Sequence, residues 1–433
     1  METMEAYLRR KHEELQLLDA CLDESFAPPT PKSINEAIAL KFKLTAAIRA
    51  QHDLKDWTTT ETAWSHRKKS SDSPFDFRYD YQRADLDVAG PSFYDLGDDI
   101  EWETIYTSSG MASISALLLA SSHLLDRADI VSLPGTYGET LEFIEAYARH
   151  LKSITAGEVL GAPASGASHR ILLLDSCASA KDFEACLRSP WAQFDLCIFD
   201  NSCLAGGSGK IARALRKARS CGVPVAMIRS HTKLDSLGVE YGRLGSTTFV
   251  RSAEADLWVR SPLRKLPDEM RNAIRLLGGA ALPAHFPPYV GSPEYRSLTT
   301  RRVAAIIRNS RRTARFFRQT LGDLVRQTNF AHGLYVLLKC RRPLDEEEAR
   351  RAASEMSREL GLAGFPIRHA GSFGFDFAAT EWFHDMTTGA FSVRIAVPDL
   401  PTEVWDEQTR AIARWWNEHE GDAGPLLAAP GQD

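Results

Sequence analysis

From Thr104 onward, short apolar runs alternate with segments whose apolar residues recur every three to four positions. The largely apolar runs at 130–133, 171–174, 196–199, 223–228 and 247–250 read as strands buried on both faces. Between them, 111–124, 137–150, 181–189 and 210–220 have helical periodicity. Strand and helix in repetition predict a mainly parallel sheet covered on both faces. A proline-rich break at 283–293 separates this from a different pattern. A helix at 302–321 carries apolar Val303, Ile307, Ala314, Phe317 and Leu321, and strands at 333–339 and 391–397 accompany helices at 344–360 and 402–419. That end reads as a smaller α+β layer. Ahead of the repeating pattern, 5–22 and 34–52 read as helices parted by Pro28-Pro29-Thr30-Pro31, with Ser33 as N-cap of the second and a polar loop over 65–73. The expected organisation is a helical arm (1–80) packing on a partner subunit, a large domain (81–285) and a small one (286–425), with a disordered tail over 421–433.

Composition narrows the function classes. With 433 residues, 44% hydrophobic and 25% charged, the chain is an ordinary globular protein with ample core. A formal charge of −5 argues against nucleic-acid binding. The arginines of the 302–321 helix (Arg301, Arg302, Arg308, Arg311, Arg312, Arg315, Arg318) therefore read as a solvated face. No apolar run approaches the ~20 residues of a membrane span, and the acidic, polar start predicts no secretory signal. The seven cysteines have neither C-x-x-C nor metal-ligand spacing, so they read as small core residues of a reduced, cytoplasmic protein, and no metal is expected.

Four short segments carry candidate chemistry. In Ser108-Ser109-Gly110-Met111 a glycine turn opens a helix, leaving the Gly110 and Met111 N–H groups for an anion such as phosphate. Gly135-Thr136-Tyr137-Gly138 places an aromatic at the end of the next strand, able to stack on a ring and to assist proton transfer. Asp200 ends the apolar strand 194–199, where a carboxylate needs a cationic partner. In Ser230-His231-Thr232-Lys233, alternation points Ser230 and Thr232 to one side for a phosphate, turns His231 away, and leaves Lys233 at the strand end. Each segment alone fits ordinary turns, caps and packing. In this order at one sheet edge they fit one ligand, pyridoxal 5'-phosphate (PLP): Asp200 keeping the pyridine nitrogen protonated and Lys233 forming the Schiff base. The glycines from Gly206 to Gly209 are not a Walker A loop, since Leu204 and Ile211 occupy positions that need Gly and Ser/Thr.

These segments resemble the Cys/Met-metabolism family of PLP enzymes, which includes the cystathionine γ-synthases and methionine γ-lyase. Ser109-Gly110-Met111-Ala112 is similar to its S-G-M-A, Thr136-Tyr137-Gly138-Glu139-Thr140 to its Y-G-G-T, Asp200-Asn201-Ser202 to its D-N-T, and Ser230-His231-Thr232-Lys233 to its S-x-T-K. Tyr79-Asp80-Tyr81-Gln82-Arg83 resembles Y-x-Y-S-R, Ala370-Gly371-Ser372-Phe373-Gly374 the S-L-G segment, and Ser392-Val393-Arg394-Ile395 the V-R-L-S segment. The resemblance implies an aspartate-aminotransferase-like (type I) α/β fold. It also implies Tyr81 and Arg83 reaching a neighbour's phosphate in a homodimer or homotetramer, Arg394 pairing with the substrate carboxylate, and Ser372 contacting substrate. Departures gather on the substrate side: E-x-P-x-N-P becomes Asp175-Ser176-Cys177-Ala178-Ser179-Ala180, leaving Ser179 for the usual asparagine, and a helix at 210–220 is inserted between Asp200 and Lys233.

The expectation is PLP-dependent elimination or replacement at Cβ or Cγ of an α-amino acid, γ-chemistry favoured, in a specialised pathway that extends to forming an unsaturated or alkynyl amino acid from a γ-halo substrate. Lys233, Tyr137 and Asp200 are the expected catalytic residues. An aminotransferase, decarboxylase or aldolase on the same scaffold, or a non-catalytic protein retaining the fold, are the alternatives.

Overall fold

The computed structural model describes residues 2–57, 68–69, 73–79, 86–96, 100–159, 169–252, 257–322, 325–326, 333–340, 342–386 and 389–421. Tyr81 and Arg83 lie outside the described residues.

Helices α1 (Met4–Asp19) and α2 (Ile34–Trp57) come first. Ser33 caps α2 as expected: its hydroxyl accepts from the Glu36 N–H at 3.2 Å while the Glu36 carboxylate accepts from the Lys32 N–H at 2.7 Å. A small antiparallel meander follows, β1 (Lys68–Lys69), β2 (Asp76–Tyr79) and β3 (Leu86–Ala89). The repeating part then runs β4 (Ile100–Thr107), α3 (Gly110–Ser121), β5 (Ala128–Ser132), α4 (Gly138–Tyr147), β6 (Leu151–Thr155), α5 (Ala156–Val159), β7 (Arg170–Asp175), α6 (Ala180–Arg188), β8 (Leu196–Asp200), α7 (Gly209–Cys221), β9 (Val225–Ser230) and β10 (Gly245–Ser252), closed by α8 (Leu266–Leu277). The last part comprises α9 (Pro293–Leu321), β11 (Val325–Arg326), β12 (Tyr335–Leu338), α10 (Glu346–Leu362), β13 (Ile367–His369), β14 (Ala378–Asp385), β15 (Ala390–Ala396) and α11 (Thr402–Gly421).

The class is α/β. A seven-stranded sheet has the order β4-β10-β9-β8-β7-β5-β6. The strands from β9 to β6 pair parallel, and β10 is antiparallel to both β9 and β4. Thus β4 runs with β9, and Thr107, Ser132, Asp175, Asp200 and Ser230 all end strands at one edge. Alternation feeds two cores. Leu172, Leu174, Cys197, Phe199 and Met227 pack toward α6 and α7, whereas Ile171, Leu173, Ile198, Ala226 and Ile228 pack toward α3 and α8. A five-stranded sheet, β11-β12-β15-β14-β13, with α10 and α11 makes the C-terminal α+β layer.

The N-terminal helices pack on their own chain: Tyr7, Leu15 and Leu18 are fully buried, Tyr7 within the C-terminal core. One expectation needs correction. Arg302, assigned to a solvated face, is buried with Arg10, Lys11, Glu14, Lys41, Asp376 and Asp399. In this ionic knot Arg10 meets Asp399 at 2.6 Å, and Lys11 meets both Asp376 and Asp399 at 2.8 Å. Lys41 pairs with Glu14 and Asp376, and Arg302 with Asp376. Acids on the arm and the C-terminal layer attract cations into the core, which a periodicity count on one helix does not register.

Candidate active site

The carboxyl edge of the seven-stranded sheet gathers the four segments. Gly245 of β10 stands opposite Thr107 on one side and Ser230 on the other, joining the ends of β4 and β9. Ser109 caps α3 by accepting from the Ala112 N–H at 3.0 Å. Gly110 and Met111 are thus the first helical residues, whose N–H groups have no intrahelical acceptor. A Cβ at Gly110 would come within 3.0 Å of the Ser230 Cβ, so this turn packs directly on Ser230. The Ser230 and Thr232 hydroxyls are 3.0 Å apart, on the same side as expected. His231 points the other way, hydrogen-bonded through its ring nitrogens to Asp235 and Ser246 at 2.8 Å each, its ring centre 3.8 Å from that of Phe93 and tilted by 32°.

Lys233 follows at once, its ammonium donating to Ser372 Oγ at 2.6 Å and lying 5.3 Å from the centre of the Phe373 ring. Burial, with the nearby Arg394 cation, lowers its pKa. The turn after it is tightly held. Leu237 adopts a left-handed conformation (φ 53°) that branched side chains rarely take, and the Lys41 ammonium bonds its carbonyl at 2.8 Å. Arg302 also donates to Gly374 O at 2.8 Å, so the ionic knot braces both walls around Lys233.

Two carboxylates end neighbouring strands, Asp175 on β7 directly opposite Asp200 on β8. Asp200 accepts from the Ser202 N–H at 2.9 Å; Asp175 accepts from the Tyr137 N–H at 2.8 Å and the Cys177 N–H at 2.7 Å. Burial, and then the charge of Asp200, push the Asp175 carboxyl up to about 7; burial raises Asp200 too. Asp175 is the residue that sequence reading passed over. Its strand, Leu172-Leu173-Leu174-Asp175, is a twin of Cys197-Ile198-Phe199-Asp200, a signal that was present.

Tyr137 begins α4 beside this pair, half-buried, and burial with a hydrogen bond to Glu139 raises its phenol pKa. Arg394 on β15 lies 4.5 Å from the centre of the Tyr335 ring; its charge adds to burial in lowering the Lys233 pKa and offsets part of the rise at Tyr137. It is also bonded to Glu381, its partner across β14. The reading of Arg394 as a carboxylate anchor overlooked that resident counter-ion. Ser179 caps α6, accepting from the Asp182 N–H at 3.0 Å, so its hydroxyl serves the helix. Gly206 has a steric cause: a Cβ there would strike the Phe93 carbonyl oxygen at 2.2 Å.

No family model and no curated protein matches this chain. Among solved structures, it is similar to a cystathionine gamma synthase from Xanthomonas oryzae pv. oryzae in complex with cystathionine: 17% identity, TM-score 0.48, 73% of this chain and 82% of that one covered. The same enzyme in complex with aminoacrylate and cysteine matches at 16% identity and TM-score 0.46, over 73% and 82% of the two chains. The metB protein from Corynebacterium glutamicum matches at 14% and 0.48, over 72% and 80%.

Proposed function

We propose that this protein is a PLP-dependent enzyme with an aspartate-aminotransferase-like (type I) fold, catalysing elimination or replacement at Cβ or Cγ of an α-amino acid. One observation carries this reading: a half-buried lysine and a pair of carboxylates, one buried and one half-buried, share a sheet edge with two hydroxyls and a helix N-terminus. A desolvated acid pair with a raised pKa lacks positive charge, and a protonated pyridine nitrogen would supply it. The donor set suits the rest of the cofactor: N–H groups of Gly110 and Met111 and hydroxyls of Ser230 and Thr232 for the phosphate, Lys233 for the aldehyde, Tyr137 for the ring face.

Bound there, PLP supplies an electron sink for bonds broken at the substrate's α-carbon. Asp200 holds the proton at the ring nitrogen. Lys233, its pKa lowered by burial, is suited to take a proton from Cα and deliver it elsewhere. Tyr137 keeps its phenol proton and so acts as a donor to a departing group. Arg394 binds the substrate carboxylate by exchanging it for Glu381. The departures on the substrate side favour a specialised pathway, and within the class we favour γ-chemistry, including formation of an unsaturated or alkynyl amino acid from a γ-halo substrate. Incubation with O-acyl, thioether and halo amino acids, following released leaving group and product by mass spectrometry, tests this. Loss of a γ-substituent supports the reading, whereas keto-acid formation with every leaving group retained assigns an aminotransferase instead.

A further inference from the structure

Behind the two carboxylates lie two cysteines that the chemistry above does not use. Cys177 follows Asp175 in the turn between β7 and α6, and Cys203 follows Asp200 in the turn between β8 and α7. Their sulfurs are 3.4 Å apart, both thiols free. The two turns are laced together by main-chain bonds, Ser176 N–H to Asp200 O at 2.8 Å, and by the Cys203 N–H to Ser176 Oγ at 3.1 Å. The spacing is therefore fixed by the same pairing that sets Asp175 against Asp200. A disulfide needs about 2.05 Å between sulfurs, so closure asks each to move by less than about 1 Å. Cys203 is buried and Cys177 half-buried, which separates an accessible thiol from a shielded one. Lys233 stands within electrostatic reach of both sulfurs.

We propose that Cys177 and Cys203 form an oxidisable dithiol, a modification site whose co-reactant is a hydroperoxide and whose product is an intramolecular disulfide joining the two acid-bearing turns. The Cys177 sulfur attacks one peroxide oxygen, breaking the O–O bond and leaving a sulfenic acid and water. The Cys203 sulfur then attacks that sulfenic sulfur. The S–S bond forms, the S–O bond breaks, and the released hydroxide takes the Cys203 proton as a second water. Two thiols and one hydrogen peroxide give one disulfide and two waters, with two electrons passing from sulfur to oxygen. The facing thiol, burial and Asp175 all keep Cys177 protonated at rest, so the pair withstands low peroxide and responds to sustained exposure.

The test treats the full-length protein with hydrogen peroxide, alkylates remaining thiols with N-ethylmaleimide, and maps peptides by mass spectrometry. It requires no cofactor, so its outcome is separate from the proposed activity. The expected result is one linked peptide pair joining Cys177 to Cys203, reversed by dithiothreitol, with the other five cysteines still alkylated. In Cys203→Ser, or Cys203→Ala if the serine variant folds poorly, Cys177 should run on to irreversible sulfinic acid, losing the reversal by dithiothreitol. A linkage through another cysteine, full alkylation of Cys177 and Cys203 after prolonged peroxide, or unchanged reversibility in the Cys203 variant would each overturn the proposal.

Discussion

Where the N-terminal helices meet the C-terminal layer, Glu14, Asp376 and Asp399 are buried among Arg10, Lys11, Lys41 and Arg302. At the sheet edge, Asp175 is buried and Asp200 half-buried, but their donors are neutral: the main-chain N–H groups of Tyr137, Cys177 and Ser202 and the Cys177 and Ser202 side chains. The electrostatic outcome is opposite. In the knot the surrounding cations outweigh desolvation and hold the Asp376 and Asp399 carboxyls below the usual range. At the edge desolvation wins and both carboxyls rise. A self-compensated cluster reads as architecture; an uncompensated one reads as a place where a cation is missing until a ligand brings it.

The strongest way to break this contrast is to remove the group that serves chemistry but not folding. Lys233→Ala should lower turnover by roughly 10³- to 10⁴-fold, measured as product formation under saturating substrate and PLP. Its unfolding midpoint should stay near wild type, because among the described residues the Lys233 ammonium hydrogen-bonds a single hydroxyl. The knot should behave in reverse. Asp376→Asn strips the acid shared by Lys11, Lys41 and Arg302 and should cost about 3–5 kcal/mol in chemical denaturation.

A third test uses pH. The Asp175 carboxyl, about 7 in the folded chain, lies near 4 when unfolded. The native state then binds more protons across that interval, so its contribution to stability is greatest at low pH and is lost as pH rises to about 7. Asp175→Asn should accordingly be more stable than wild type at pH 8, by up to about 4 kcal/mol, and nearly equal at pH 4. Saturating PLP should shrink that gap. The smallest effect concerns Arg394: Glu381→Gln frees it from its counter-ion and should lower KM for substrate about fivefold, the equivalent of ~1 kcal/mol, with kcat little changed.

Much of the scaffold was legible in the chain. The apolar runs and helical periods fall on β5, β7, β8, β9, β10 and their helices because buried parallel strands leave a strong local signal. Asp200 and Lys233 could be placed together since Asp200 ends one such strand and Lys233 follows the end of its neighbour by three residues. The knot could not be read, because Lys11 and Asp376 are 365 residues apart and only tertiary packing joins them. Glu381 was missed with its strand: Glu381 to Asp385 of β14 is half-buried and sets Trp382 and Phe383 among Glu381, His384 and Asp385, so it lacks the apolar run that marked the others. The pairing of Cys177 with Cys203 depends on the β7–β8 register, which no spacing rule supplies.

The account rests on Lys233 as the cofactor-bearing amine, and borohydride reduction of the PLP-treated protein followed by peptide mapping tests it most directly. We predict one stoichiometric pyridoxyl group on Lys233, and its loss from that peptide in Asp200→Ala at limiting PLP. A label scattered over surface lysines with Lys233 unmodified would contradict the account.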